Sequence, residues 1–325
     1  MLRALLFVLI SGLASGYATT LQACSGKLGV SRTVTLDTTG GALHGGLQYK
    51  TASFLKDGEV VLTFDDGPLR SKTRKVLAAL KDHCTKATFF MVGRMAVADP
   101  AMVREVANHG HTIATHTWSH KNLHRWSASR AKGEIELGIS AIQHALGKPV
   151  APFFRFPYLA DPKSMIAYIR QRNMAVFSID VDSYDYRTRS GDSVRRTVMR
   201  QLAARKKGIL LFHDIQISTA RAMQLLLDEL HRKGYKVVHI KPASGVKSVA
   251  AFDEQAARLH AKRRYSASVR PVGSGGRATK SAASRSSSKS KRPNSRLRAK
   301  TRIRIAKPAP VIKQDDSWQR RVLGN

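Results

Sequence analysis

Between residues 59 and 241, short apolar runs alternate with longer amphipathic stretches. The runs cover residues 60–64, 87–92, 112–115, 152–154, 175–179, 208–212 and 236–240. Their length is typical of strands buried on both faces of a sheet. The amphipathic stretches cover residues 71–82, 100–108, 127–146, 161–172, 192–204 and 218–233. Several begin at Ser, Asp or Pro and end at Gly, as helices do.

Strands that alternate with helices predict a parallel sheet with helices outside it. Over about 180 residues, a closed or nearly closed α/β barrel satisfies this pattern, and an open doubly wound sheet is the alternative. No phosphate-loop signature or dinucleotide fingerprint follows any of the predicted strands. The pattern therefore disfavours a nucleotide-binding protein.

The flanking segments differ from this central domain, which we place at residues 57–241. Residues 19–56 form a β-rich N-terminal extension, because residues 33–36 alternate at period two. Residues 242–265 are predicted to be a linker with one helix over 246–260. Residues 266–325 are rich in Ser, Arg and Lys without apolar periodicity, which predicts a disordered basic tail.

Residues 1–18 have the pattern of a secretory signal peptide. Arg3 precedes an apolar run that is too short to anchor the chain in a bilayer, and small residues follow it. Cleavage after Ala18 fits the small-residue rule, and Ala23 is the alternative. The chain is therefore predicted to be exported, to the periplasm or out of the cell.

Export changes the meaning of the two cysteines, Cys24 and Cys84. In an oxidising compartment they can form one disulfide. Lipid attachment at Cys24 is a less favoured alternative, because the polar residues 16–20 separate this cysteine from the apolar run, and two unpaired thiols are a third. Two cysteines also exclude a cysteine-rich zinc module, so any metal must be bound by His and carboxylate groups.

Positive charge is concentrated at the C-terminal end. The chain carries 56 Lys and Arg against 22 Asp and Glu, a net charge of +34, and residues 261–325 contribute 19 of the cations and two of the anions. An exported cationic tail would be attracted to anionic envelope polymers or membrane surfaces, or would only keep the protein soluble. Export argues against nucleic acid as the partner.

Ionisable residues follow five of the predicted strands directly. The clusters are Asp65-Asp66-Gly67-Pro68, His116-Thr117-Trp118-Ser119-His120, Arg155-Phe156-Pro157-Tyr158, Asp180-Val181-Asp182-Ser183-Tyr184-Asp185 and His213-Asp214. Each alone has an ordinary explanation as a turn, a cap or a core histidine. Since parallel strands end on one face of a sheet, the five clusters are expected to converge there in one site.

The residue types in these clusters suit metal-assisted hydrolysis. Two imidazoles and one carboxylate, from His116, His120 and one of the adjacent aspartates, make a suitable shell for zinc or a similar divalent ion. The other aspartate can deprotonate water if a cation such as Arg155 keeps it ionised. Expelling an amine requires a proton, which His213 can donate.

The five clusters resemble the five ordered motifs of the polysaccharide deacetylases with a NodB-homology domain (carbohydrate esterase family 4). Neighbouring residues belong to the resemblance as well: Thr63-Phe64 before the first cluster, Tyr186 after the fourth and Leu211-Phe212 before the last. The resemblance covers about residues 57–241. It implies a distorted (β/α) barrel, a divalent metal, with zinc the expected ion, and hydrolysis that yields acetate and a free amino sugar.

Carried over by position, the resemblance also implies a role for each residue. Asp65 would be the general base, oriented by Arg155. His213 would be the general acid, oriented by Asp185. The metal would be bound by Asp66, His116 and His120. The backbone N–H of Tyr158 would stabilise the oxyanion, and Tyr158, Tyr186 and Trp118 would contact substrate.

Two positions depart from the family pattern. Tyr186 stands where the family commonly has Trp, and Leu159 where a glycine is frequent, so substrate fit differs more than chemistry. The expected function is export followed by N-deacetylation of an N-acetylglucosamine polysaccharide, such as peptidoglycan or a chitin-like oligosaccharide. One alternative is an amidohydrolase acting on a small C–N substrate, against which the signal peptide argues. The other is a catalytically idle polysaccharide-binding protein, which would be expected to lack Asp65 or a metal ligand.

Overall fold

A computed structural model describes residues 24–268. The predicted signal peptide at 1–18 and residues 269–325 of the predicted basic tail lie outside the described residues. The helix expected over 246–260 begins later and runs further, over Ala250–Ser268, three residues past the predicted start of the tail.

Ten strands form one parallel sheet within the described residues. They are β1 (Arg32–Leu36), β2 (Leu43–His44), β3 (Glu59–Asp65), β4 (Thr88–Met91), β5 (Thr112–Thr115), β6 (Phe153–Phe154), β7 (Ala175–Phe177), β8 (Val181–Asp182), β9 (Gly208–His213) and β10 (Lys236–Pro242). All seven predicted runs contain a strand. β2 and β8 were not predicted as separate strands, because two residues carry no readable periodicity.

Eight α-helices lie in this part of the chain, seven between strands and one after the last strand. They are α1 (Arg70–Asp82), α2 (Gly93–Ala98), α3 (Pro100–Asn108), α4 (Ala128–Leu146), α5 (Lys163–Gln171), α6 (Gly191–Arg205), α7 (Ile217–Arg232) and α8 (Ala250–Ser268). Side-chain caps explain several starts: Asp99 accepts from Met102 N at 3.1 Å and Ser190 from Ser193 N at 3.2 Å. Among residues 24–268, no helix has both the length and the apolar character needed to span a bilayer.

The strand order predicts where a site can form. β3 lies at the centre, with β9 and then β8 along one side and the series β4, β5, β6, β7 and β2 along the other. Residues 178–180 connect β7 directly to β8, so the series returns on itself as a distorted barrel. Because every pair is parallel, the strands all end on one face, and the barrel prediction is confirmed.

Both faces of the central strand are buried, as the continuous apolar runs predicted. Val60, Leu62 and Phe64 belong to the large cluster between the sheet and the helices, in which the Phe64 ring stacks on that of Phe89 with centroids 4.9 Å apart. Val61 points to the opposite side, into a smaller cluster that includes Phe177. This packing fixes the strand whose end carries two adjacent aspartates.

The N-terminal extension belongs to the same sheet. β1 pairs with β10 over five residues, from Arg32 opposite Val238 to Leu36 opposite Pro242, and β2 pairs with β7. Cys24 and Cys84 form a disulfide with their Cα atoms 5.8 Å apart, which joins the first described residue to the end of α1. Of the three states considered for these cysteines, the structure has the disulfide.

Candidate active site

Asp66, His116 and His120 come together at the ends of β3 and β5. Their ligand atoms lie within 4.8 Å of one another. Asp66 Oδ1 is 3.6 Å from His116 Nε2 and 3.2 Å from His120 Nε2, and it is buried without a hydrogen-bond partner. A buried carboxylate oxygen without a donor is costly unless a cation satisfies it.

The surroundings of His116 and His120 favour the neutral form of both imidazoles. His116 Nδ1 donates to the backbone carbonyl of Arg155 at 2.7 Å, which leaves the lone pair of Nε2 facing Asp66. Burial lowers the pKa of both His116 and His120. Neutral imidazoles and one carboxylate are a donor set that divalent ions such as zinc accept, so these residues fit the predicted metal.

Asp65 is held by a fully buried arginine. Arg155 Nη1 donates to Asp65 Oδ1 at 2.7 Å and to Thr63 Oγ1 at 2.9 Å. Its remaining nitrogens reach the carbonyls of Phe177 and Ser178 at 3.3 and 3.2 Å, so the guanidinium has one fixed orientation. Burial raises the pKa of Asp65 to about 6 although Arg155 opposes this shift.

His213 lies directly opposite Asp65 in the register of β3 and β9. Its Nδ1 donates to Asp185 Oδ1 at 2.7 Å, and its backbone N–H donates to Asp185 Oδ2 at 2.7 Å. Ser218 and Thr219 also donate to Asp185 and fix its position. Burial lowers the pKa of His213, but the Asp185 carboxylate outweighs this effect and raises it to about 10.

Two predicted substrate-contacting tyrosines are exposed beside these groups. The Tyr158 ring is 63% exposed and its centroid lies 4.6 Å from that of His120. Tyr186 is 47% exposed, and its ring lies 5.6 Å from that of His213. An aromatic face is therefore available near His120 and near His213, where a sugar ring can pack.

Trp118 differs from the prediction that it contacts substrate. It is only 6% exposed and packs in an apolar cluster with Val97, Leu137 and Ala141. Its position within the histidine motif suggested the site, but its ring faces α4. We assign it to packing between the loop of residues 116–120 and α4.

The sequence reasoning missed Glu134, a completely buried residue of α4 that supports this loop. Its carboxylate accepts from Ser119 N at 2.8 Å and from Ser119 Oγ at 2.7 Å, and Ser119 lies between His116 and His120 in the chain. Burial raises the pKa of Glu134. The sequence contains one signal for this role: Glu134 is an acidic residue on the apolar stripe of a predicted helix, between Ala131 and Gly138.

Asp214 follows His213, the last residue of β9. It is completely buried, and its Oδ2 accepts from Thr73 Oγ1 at 2.5 Å, while Thr73 Oγ1 accepts from Leu69 N at 2.8 Å. A Cβ on Gly67 would lie 2.2 Å from Asp214 Oδ1. Asp214 thus packs against the turn that follows the two aspartates and helps to fix it.

Gly138 of α4 lets the loop of residues 116–120 approach the helix. A Cβ on Gly138 would lie 2.6 Å from the carbonyl carbon of Thr117, between the two histidines. We expect Gly138→Ala to lower the free energy of unfolding by about 2 kcal/mol, because the backbone must shift, and to weaken metal binding. Denaturant unfolding and metal titration measure both effects.

Gly133→Ala is the matched control on the same helix, since its Cβ would meet only Phe252 Cε1, at 3.9 Å. This variant should be neutral or more stable by up to about 1 kcal/mol, because alanine favours helix more than glycine does. Equal effects of the two substitutions would contradict the close approach at Thr117.

Comparisons with known proteins agree with the resemblance seen in the motifs. The family model for polysaccharide deacetylases matches residues 54–177. A peptidoglycan-N-acetylglucosamine deacetylase of Listeria monocytogenes is 32% identical over 188 residues, which cover 58% of this chain and 39% of the relative. A chitooligosaccharide deacetylase of a Bradyrhizobium strain is 31% identical over 193 residues, which cover 55% of this chain and 87% of the relative.

Among solved structures, a peptidoglycan deacetylase of Bdellovibrio bacteriovorus superposes with a TM-score of 0.60 at 33% identity. The match covers 66% of this chain and 59% of that one. This chain therefore spans less than two thirds of both the Listeria and the Bdellovibrio proteins. The residues that the family model matches include three of the five strand-end clusters, those that begin at Asp65, His116 and Arg155.

Proposed function

This chain belongs to the polysaccharide deacetylase family, and from that premise we propose that it is a metal-dependent hydrolase that removes N-acetyl groups from an N-acetylglucosamine polysaccharide and releases acetate. One observation carries the proposal: a candidate metal site, a carboxylate held by arginine and a histidine held by aspartate converge at the ends of three strands. The residues whose loss would favour an idle binding protein are all present.

The ion would be held by Asp66, His116 and His120, and zinc is the ion that we propose. Two neutral imidazoles and one carboxylate are typical of catalytic zinc, although other divalent ions accept the same set. When bound, a divalent ion would polarise the amide carbonyl and lower the pKa of water.

Asp65 is proposed to take the proton from the attacking water. Its pKa of about 6 leaves it mostly ionised at neutral pH yet more basic than an ordinary aspartate. Arg155 holds Oδ1, so Oδ2 is the oxygen left for the proton. This oxygen lies 3.8 Å from His116 Nε2, on the side of the metal ligands.

His213 is proposed to donate the proton that the departing amine needs. Its pKa of about 10 keeps it protonated at neutral pH, and Asp185 holds Nδ1 so that Nε2 carries the transferable proton. Since His213 and Asp65 are register partners on adjacent strands, acid and base lie on the same side of the sheet. One site can therefore take the proton from the attacking water and give a proton to the departing amine.

Removing the charge of Asp185 should change the pH dependence of turnover. His213 acts only when protonated, and Asp185 is the main group that raises its pKa, so activity should persist up to about pH 10 in the natural protein. In Asp185→Asn, the alkaline limb of kcat/KM should move toward neutral pH. Profiles measured from pH 6 to 11 test this, and an unmoved alkaline limb would exclude His213 as the acid.

We also propose that the protein is exported. The pattern of residues 1–18 and the Cys24–Cys84 disulfide support an oxidising compartment. The excess of Lys and Arg in residues 261–325 supports contact with anionic envelope polymers or membrane surfaces, with retention that falls as salt rises.

Acetate release from peptidoglycan, chitin oligomers and acetylated xylan, measured side by side with zinc-loaded protein, tests the proposed function. We expect release from at least one of the two N-acetylglucosamine polymers and free amines in equal amount. Release from xylan alone, or from none of the three, would overturn the proposal.

A further inference from the structure

The segment of residues 44–49, which begins at the last residue of β2, is attached firmly to residues 178–180. Three hydrogen bonds join them: from Ser178 N to His44 O at 2.7 Å, from Leu47 N to Ile179 O at 3.0 Å and from Gly46 N to Asp180 Oδ1 at 2.6 Å. Gly45 has a φ of +104°, and a Cβ there would lie 2.5 Å from the carbonyl carbon of Ser178. This close approach requires glycine. The segment precedes residues 54–177, which the family model matches.

Gln48, in this segment, uses every hydrogen-bonding group of its amide. Its Nε2 donates to the carbonyl of Leu159 at 2.7 Å and to Asp161 Oδ1 at 3.1 Å, while its Oε1 accepts from Ser178 Oγ at 2.6 Å. Because the Leu159 carbonyl can only accept, the orientation of the amide is fixed. The neighbouring Tyr49 is buried, and its hydroxyl donates to Asp161 Oδ2 at 2.8 Å.

The turn that Gln48 contacts has an unfavourable backbone conformation. Tyr158 has a φ of +60° and Leu159 a φ of +53°, the left-handed region that favours glycine. A leucine relaxes toward other conformations unless its surroundings hold it. The bond from Gln48 to the Leu159 carbonyl is one such restraint.

Gln48 bonds directly to this turn and is linked through Ser178 to Arg155, the arginine that holds Asp65. The ring of Tyr158 packs against His120, a proposed metal ligand. On its other side, Gln48 bonds to Ser178, whose carbonyl accepts from Arg155 Nη2 at 3.2 Å. A shift of Gln48 would thus reach both the oxyanion side and the base side of the site.

We propose that Gln48 is a positioning residue for catalysis: it holds the Tyr158–Leu159 turn in the left-handed conformation that glycine would adopt unaided. The N-terminal segment is therefore part of the catalytic unit. This inference rests on the proposed deacetylase function and on the expected role of the Tyr158 backbone N–H at the oxyanion.

A double-mutant cycle between Gln48→Ala and Leu159→Gly tests the inference. Gln48→Ala alone should lower kcat about tenfold with little change in KM, because the backbone N–H of Tyr158, in its expected role at the oxyanion, would act only in the transition state. In the Leu159→Gly background the same substitution should cost less than about threefold, since glycine needs no restraint there. Equal costs in both backgrounds would overturn the inference.

Two further measurements separate positioning from general damage. Gln143→Ala removes another glutamine that bonds to a distant carbonyl, that of Val246 at 3.1 Å, and should leave kcat unchanged. Hydrogen exchange in the peptide that contains residues 158–161 should be about tenfold faster in Gln48→Ala and not in Gln143→Ala. This readout needs no turnover, so it decides whether Gln48 restrains the turn even if the natural protein releases no acetate. Absence of acetate release would overturn the proposed function and leave the restraint standing. Unchanged exchange would contradict the restraint.

Discussion

Asp65→Asn is expected to lower acetate release by about 10³-fold, the loss typical when a general base is removed. The amide has nearly the same size as the carboxylate and can still accept from Arg155, but it cannot take a proton from water. Asp66, which faces the two histidines, is left in place, so bound metal should remain near its natural stoichiometry. Acetate assays and metal analysis on the same preparation measure both quantities.

The control must also remove a buried carboxylate that pairs with an arginine. Glu136 accepts from Arg172 at 2.8 Å and joins α4 to the end of α5, away from the strand ends. Glu136→Gln should lower stability but leave kcat near its natural value. If both variants lost activity equally, the loss would reflect a broken ion pair and not a missing base.

His116→Ala should remove metal and activity together. The substitution deletes one of three ligands and leaves Asp66 with a single imidazole, so affinity for zinc should fall by at least about 10²-fold. Acetate release should fall to background at zinc concentrations that saturate the natural protein. Isothermal titration with zinc, followed by assays across a zinc series, measures the two losses.

His111→Ala is the matched control at the other end of β5. His111 is also buried, and its Nδ1 accepts from Ala87 N at 3.2 Å. It precedes the strand whereas His116 follows it, so the two lie about 15 Å apart. Metal affinity should therefore be preserved in His111→Ala. Retained zinc binding in His116→Ala would remove this residue from the metal site.

Much of the fold could be predicted because buried parallel strands and amphipathic helices leave strong periodic patterns. The helix at Pro100–Asn108 and the strand at Thr112–Thr115 coincide with their predicted bounds. The pairing of β1 with β10 joins residues about 200 positions apart, and local pattern carries no information about such a contact. For the same reason the extension was recognised as β-rich while its place in the sheet was not.

The candidate site was predictable to the extent that parallel strands end together. This rule placed Asp65 near His213 without any knowledge of the barrel. Residues that act through the backbone of another loop were not predictable: Gln48 contacts Leu159 across 111 positions, and Glu134 lies inside a helix. Trp118 was misassigned because a motif shows which residues are close in sequence but not which way a ring points.

The most direct test of whether one ion at Asp66, His116 and His120 supports the reaction is a titration of metal-free protein with zinc. The readout is acetate release from N-acetylglucosamine polymers. Release should be absent without metal, rise in proportion to added zinc and level off at one equivalent per chain. Turnover in protein verified to be free of metal, or full activity reached only with two or more equivalents, would contradict the account.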